Sequence, residues 1–132
     1  SATFAITEAK LGRGAAWAAP LVRMLPGRVA KELLVTAAPM SAARLHAAGF
    51  VNEVVPLASL AEAAHDLART IAANAPLAVA ASKAMVDTIV GEGRALPRDE
   101  AEAMFRHVYM SNDAREGLAA FRDKRAPRWT GT

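Results

Sequence analysis

Only two short runs in this chain favour a β-strand: Phe4-Ala5-Ile6-Thr7, and Phe50-Val51-Asn52-Glu53-Val54-Val55, which Pro56 closes. Two strands alone are marginal in water, so most of the packing falls to helices. The composition suits that. Of the 132 residues, 53% are hydrophobic and only 5% aromatic, with alanine dominant. Small apolar side chains let helices pack closely. The length fits one domain and is enough to bury a core.

Punctuation along the chain predicts the helices. Gly12 and Gly14 break the first strand, and Pro20 and Pro26 bracket a short helix over Leu21 to Leu25. A helix is expected from Val29 to Val35. Ser41 is placed to cap another over Ala42 to Ala48, with Gly49 as its C′ residue. Ser59 and Glu62 have capping-box spacing, and Leu60, Ala64, Leu67 and Ile71 form one apolar stripe. Asn74 and Pro76 open the next helix, which Gly91 or Gly93 ends. Pro97, Asp99 and Glu100 start another, with its acids in the first turn. Ser111-Asn112-Asp113 marks a break and a new cap, and the last helix ends among Arg122, Lys124, Arg125 and Pro127.

Several functions are disfavoured. No apolar run approaches the roughly 20 residues of a membrane span. The opening residues, Ser1-Ala2-Thr3-Phe4, have neither a basic n-region nor an h-region, so no leader is expected, and a cytoplasmic setting is. Without cysteine there is no disulfide and no thiolate metal site. His46, His65 and His107 fall on different predicted elements and read as surface or packed histidines, so no metal is expected. The net charge of +3 suits an anionic ligand without requiring one.

Taken alone, the residues say little about chemistry. Glu8 reads as a solvated carboxylate at a strand end. Lys83 reads as a helix-face lysine. Arg122, Lys124, Arg125 and Arg128 read as the cationic end of a helix, where the dipole favours them.

An ordered set of segments changes that reading. Ala2-Thr3-Phe4-Ala5-Ile6-Thr7-Glu8-Ala9-Lys10-Leu11-Gly12 resembles A-x-F-x-x-P-E-x-x-L-G of the enoyl-CoA hydratase/isomerase (crotonase) family. The stretch from Arg28 to Thr36 resembles the helix that follows in that family. Ser41-Ala42-Ala43-Arg44 through Gly49-Phe50-Val51-Asn52-Glu53-Val54-Val55-Pro56 resembles A-x-x-A-x-x-x-G-L-V-N-x-V-V-P. Asn74-Ala75-Pro76-Leu77-Ala78 with Lys83 resembles A-x-x-A-P-x-A-x-x-x-x-K. Glu116-Gly117 with Ala120-Phe121-Arg122-Asp123-Lys124-Arg125-Ala126-Pro127 resembles the closing E-G-x-x-A-F-x-E-K-R-x-P.

The resemblance implies an α/β fold, the crotonase-like (ClpP/crotonase) ββα superhelix, here its mostly helical C-terminal half with about two short strands. Residues 1–56 would complete the core, and residues 57–132 would form a helical oligomerisation region. The two strands are expected to pair, along an edge lined by Phe4 and Val51. Family chains usually have a preceding, strand-rich half that supplies the backbone donors of an oxyanion hole and a first glutamate. The chain therefore reads as a fragment, inactive alone.

For function, the resemblance implies action on an acyl-CoA or enoyl-CoA thioester, with hydration of a 2-trans-enoyl-CoA as the leading reaction. Isomerisation, or another CoA-thioester reaction, is the alternative. No separate cofactor is implied, because coenzyme A belongs to the substrate. The implied assembly is a homotrimer or a dimer of trimers. Glu8 falls at the family's second glutamate and is the candidate acid–base residue. Thr7 replaces a frequent proline, and Ala15-Ala16-Trp17-Ala18-Ala19 replaces a glycine-rich stretch. Alanine fits glycine positions only where φ is negative. Ala16 and Trp17 are thus candidates to line the acyl site, with core packing as the other reading for Trp17. Phe121 and Lys124 match positions that reach the CoA nucleotide, with a plain amphipathic helix end as the other reading.

Two other classes stay open. A non-catalytic interaction fragment would pack its helices on a partner. A nucleic-acid-binding helical module would use the basic tail, though Phe121 is the only aromatic within that cluster.

Overall fold

Proline, glycine and serine set most of the helix ends in the computed structural model, which describes residues 2–93 and 97–132. Strand β1 (Thr3–Phe4) leads to a 3₁₀ turn over Glu8–Leu11 and a second over Ala16–Ala18. Helices α1 (Ala19–Met24) and α2 (Gly27–Thr36) follow, then β2 (Met40–Ser41) and α3 (Ala42–Ala47). A 3₁₀ turn at Leu57–Ser59 enters α4 (Leu60–Ala72), and α5 (Pro76–Glu92), α6 (Arg98–Tyr109) and α7 (Asn112–Arg122) complete the chain. These elements form two units, Ser1–Leu60 and Ala61–Thr132.

The caps expected at Ser41 and Ser111 are present, whereas Ser59 ends the 3₁₀ turn before α4 and forms no capping box with Glu62 among the described residues. The Ser41 hydroxyl accepts from Arg44 N at 3.2 Å, and the Ser111 hydroxyl from Ala114 N at 3.0 Å. Pro76 opens α5, and Gly93 ends it in the left-handed region at φ 62°.

In the first unit, Ile6, Ala18, Leu25, Ala30, Leu33, Met40 and Leu45 form one buried apolar cluster, with Leu45 fully enclosed. Burying a leucine contributes roughly 1.5–3 kcal/mol. The first strand is shorter than expected, and its partner differs. Thr3 pairs with Ser41 and Phe4 with Met40, antiparallel, and residues 50–55 form no strand.

The end of α3 gives the physical reason. Gly49 adopts φ 80° and donates to His46 O at 2.9 Å, while Phe50 N donates to Leu45 O at 2.9 Å. That is a Schellman closure, with Phe50 packed on the core beside Leu45. It engages the backbone donors of Phe50 and Val51, both directed to Leu45 O, that a strand ladder would use. The apolar residues of this run serve a helix stop.

The second unit buries less apolar surface. Among its described residues Ala81, Ser111, Asp113 and Ala120 are buried. The stripe predicted on α4 is helical as expected, yet Leu60, Leu67 and Ile71 remain 54%, 52% and 49% exposed. The C-terminal segment is held by polar contacts. Asp113 accepts from Thr130 N at 2.7 Å, Thr130 Oγ1 at 3.0 Å and Gly131 N at 2.9 Å. Trp129 Nε1 donates to Ala73 O at 2.7 Å. No helix among the described residues is long and apolar enough to cross a membrane.

Candidate active site

Two tight turns bring Glu8 and Trp17 together. The first, Glu8–Leu11, is closed by Gly12 at φ 65°, and Arg13 N donates back to Glu8 O at 2.9 Å. A left-handed residue there reverses the chain, which glycine does without steric penalty. The second turn, Ala16–Ala18, is held by Ala18 N donating to Ala15 O at 2.9 Å. Buried Ile6 anchors the chain before the first turn, and buried Ala18 anchors the second. The alanines replacing glycine tolerate this path, because Ala15, Ala18 and Ala19 have φ of −103°, −83° and −50°.

Glu8 is half-buried between these anchors. Trp17 Nε1 donates to its Oε1 at 2.8 Å. Among the described residues no other donor reaches that carboxylate.

The Trp17 ring also forms one wall of an apolar groove of about 390 Å³, with Phe4, Ile6, Leu21, Leu33 and Phe50 among its other walls. Glu8 does not itself line the groove; Trp17 links the two, with its ring in the groove wall and its N–H on the carboxylate. A carboxylate can accept or deliver a proton at a carbon brought within its reach. Sequence reasoning assigned Trp17 to the acyl wall or the core. It missed the bond to Glu8, because a nine-residue separation across two glycines predicts no contact.

Ala16 is exposed in the same turn, beside Trp17. Phe121 and Lys124 lie in the other unit, at the end of α7. Phe121 is 86% exposed. Lys124 takes the C′ position at φ 52°, closed by Lys124 N to Phe121 O at 3.3 Å and Arg125 N to Ala120 O at 3.0 Å. Lysine in the left-handed region carries a backbone penalty of about 1 kcal/mol or more.

Lys83 and His46 have ordinary partners. Lys83 pairs with Asp87 one turn along α5. His46 Nδ1 sits 2.8 Å from Val51 O. No group of three His, Cys, Asp or Glu side chains able to hold a metal occurs among the described residues. A larger depression of about 590 Å³ lies against Glu116, Arg125 and Arg128 in the second unit. Arg125 donates to both Glu116 oxygens at 2.6 and 2.9 Å, and Arg128 N adds a third bond at 2.7 Å. These bonds hold the Glu116 carboxyl at a pKa of about 2. It offers no proton acceptor suited to neutral pH.

Residues 1–132 match the family model described as enoyl-CoA hydratase/isomerase. The sequence is 38% identical to a carnitinyl-CoA dehydratase of Salmonella typhi, over 99% of this chain and 52% of that protein. The fold superimposes on the crystal structure of an enoyl-CoA hydratase from Mycobacterium tuberculosis H37Rv with a TM-score of 0.90, at 36% identity, over 100% of this chain and 53% of that one. A second enoyl-CoA hydratase, from Mycobacterium marinum, gives 0.88 at 39% identity, over 98% and 54% of the two chains. The chain spans about half the length of the relatives it matches.

Proposed function

The chain belongs to the enoyl-CoA hydratase/isomerase family, and from that premise we propose that Glu8 moves the proton at C2 of a CoA thioester. The leading reaction is hydration of a 2-trans-enoyl-CoA. The water oxygen bonds to C3 and gives up a proton to Glu8, the C2=C3 electrons shift so that negative charge builds on the thioester oxygen, and as that charge collapses Glu8 returns the proton to C2. Relatives are named hydratase or dehydratase, which describes the two directions of this one equilibrium. The observation that carries the reading is the Glu8 carboxylate, half-buried, tied by Trp17 at one oxygen and with no donor at the other among the described residues.

Donors for the developing oxyanion belong, on this reading, to the other half of the family's length, and each such donor is worth on the order of a hundredfold or more in rate. The 132-residue chain alone therefore turns over no enoyl-CoA. The complete enzyme is this chain together with that half, in one polypeptide or as a partner chain, assembled as a trimer or dimer of trimers. No cofactor is required beyond the coenzyme A of the substrate. On this reading Phe121 and Lys124 receive the CoA nucleotide, and their exposure at the end of α7 supports it.

The test is turnover of crotonyl-CoA. In the complete enzyme, Glu8→Gln is expected to lower kcat by about 10²–10⁴-fold. Unchanged kcat would overturn the assignment, and turnover by the isolated chain at the complete enzyme's rate would overturn its dependence on a second half. A nucleic-acid role has less support, because Arg122 pairs with Asp123 at 3.0 Å and Arg125 with Glu116 at 2.6 Å.

A further inference from the structure

We infer that Trp17 is the positioning residue for Glu8, holding the carboxylate through its indole N–H while its ring separately walls the acyl groove. The inference rests on the reading of Glu8 as the proton carrier. Trp17 is 63% exposed in this chain, so packing within the chain does not account for its orientation. Its ring meets the groove, and its one polar atom is directed at a carboxylate. An indole N–H is a donor only. It can neither take nor supply the proton at working pH, so it acts through Glu8.

The bond is short, at 2.8 Å, and its acceptor is an ionisable group, which places it among the stronger hydrogen bonds. With no second donor on Glu8 among the described residues, this contact is the one hydrogen bond that restrains its carboxylate. One oxygen is held, and the other has no donor among the described residues. The two functions of Trp17 sit on different atoms, so substitution can separate them.

The experiment uses two variants of the complete enzyme with crotonyl-CoA as substrate. Trp17→Phe keeps a ring in the groove and removes the N–H. We expect kcat to fall on the order of tenfold to a hundredfold, the penalty of a misplaced catalytic group, with KM within about twofold of wild type. Trp17→Gln keeps an N–H donor and removes the ring, so KM rises by more than it does in the Phe variant. In the Glu8→Gln background, Trp17→Phe adds no further loss, because its effect passes through Glu8.

A Trp17→Phe enzyme with wild-type kcat overturns the inference. So does a kcat loss that persists undiminished when Glu8 is already Gln, which would make the role structural. If Glu8→Gln itself retains full kcat, the assignment of Glu8 fails. If Glu8→Gln is crippled while Trp17→Phe is not, only the inference about Trp17 fails. Thermal melting of both variants checks the fold, and exposure of Trp17 predicts little change.

Discussion

Residues 1–60 enclose Ile6, Leu25, Leu33, Met40 and Leu45 around one apolar centre, whereas the described residues of 61–132 bury two alanines, a serine and an aspartate. In the first unit, shape is maintained by excluding water from large side chains. In the second, the helices meet through small residues, and a carboxylate fastens the tail. Asp113 binds Thr130 and Gly131, and Glu116 binds Arg125 and Arg128. Helices α4 and α6 bury no residue of their own. The site with the candidate chemistry lies in the unit that has the core, which suits a carboxylate that must be held still. The polar unit should answer to charge and pH, and the apolar unit to volume.

The largest effect should come from Leu45→Ala. Leu45 is fully enclosed, and its truncation should cost about 2–5 kcal/mol in denaturant unfolding. A change below 1 kcal/mol would mean the first unit has no true core. Next in size is Asp113→Asn, which replaces an acceptor oxygen with an amide donor facing Thr130 N or Gly131 N. Amides of residues 130–132 should exchange with solvent faster while those of α2 and α3 keep their protection. Equal loss in both units would erase the contrast between them.

The smallest effect is one of pH. The Glu116 carboxyl is held at a pKa of about 2, first by the Arg125 side chain and then by Arg128 N. A carboxyl depressed in the folded state adds stability that is fully present above its unfolded value, near 4.5, and is lost as pH falls towards 2. Asp113, lowered by its bonds to Thr130 and Gly131, acts in the same direction. Acidification from pH 5 to pH 2 should release the tail, as followed by fluorescence of Trp129, with Trp17 replaced by Phe to isolate the signal. Glu116→Gln should flatten that profile, and a profile unchanged by the substitution would remove Glu116 from the clasp.

Much of this was legible in the sequence because it is local. Ser41 and Ser111 cap the helices they precede, and Pro76 and Gly93 bound α5, because each signal acts within a turn of its own position. The fold class was legible only through the ordered resemblance, and Glu8 became a candidate only through it, since a lone glutamate at a strand end carries no chemistry by itself. What failed was non-local or competitive. Met40-Ser41 is too short to show a period-two pattern, so the partner of β1 was not foreseen. Phe50–Val55 has strand composition, but Gly49 and the Leu45 carbonyl engage its first donors. The Glu8–Trp17 bond depends on two successive 3₁₀ turns, and neither follows from hydrophobic periodicity.

The account's central claim is that Glu8 handles the proton at C2, and isotope exchange tests it without presuming hydration or isomerisation. The complete enzyme would be incubated with crotonyl-CoA in deuterated water, and deuterium at C2 followed by mass spectrometry for wild type and Glu8→Gln. The account predicts rapid labelling by wild type and a loss of about 10²–10⁴-fold in the variant. Labelling at the wild-type rate by Glu8→Gln would contradict it.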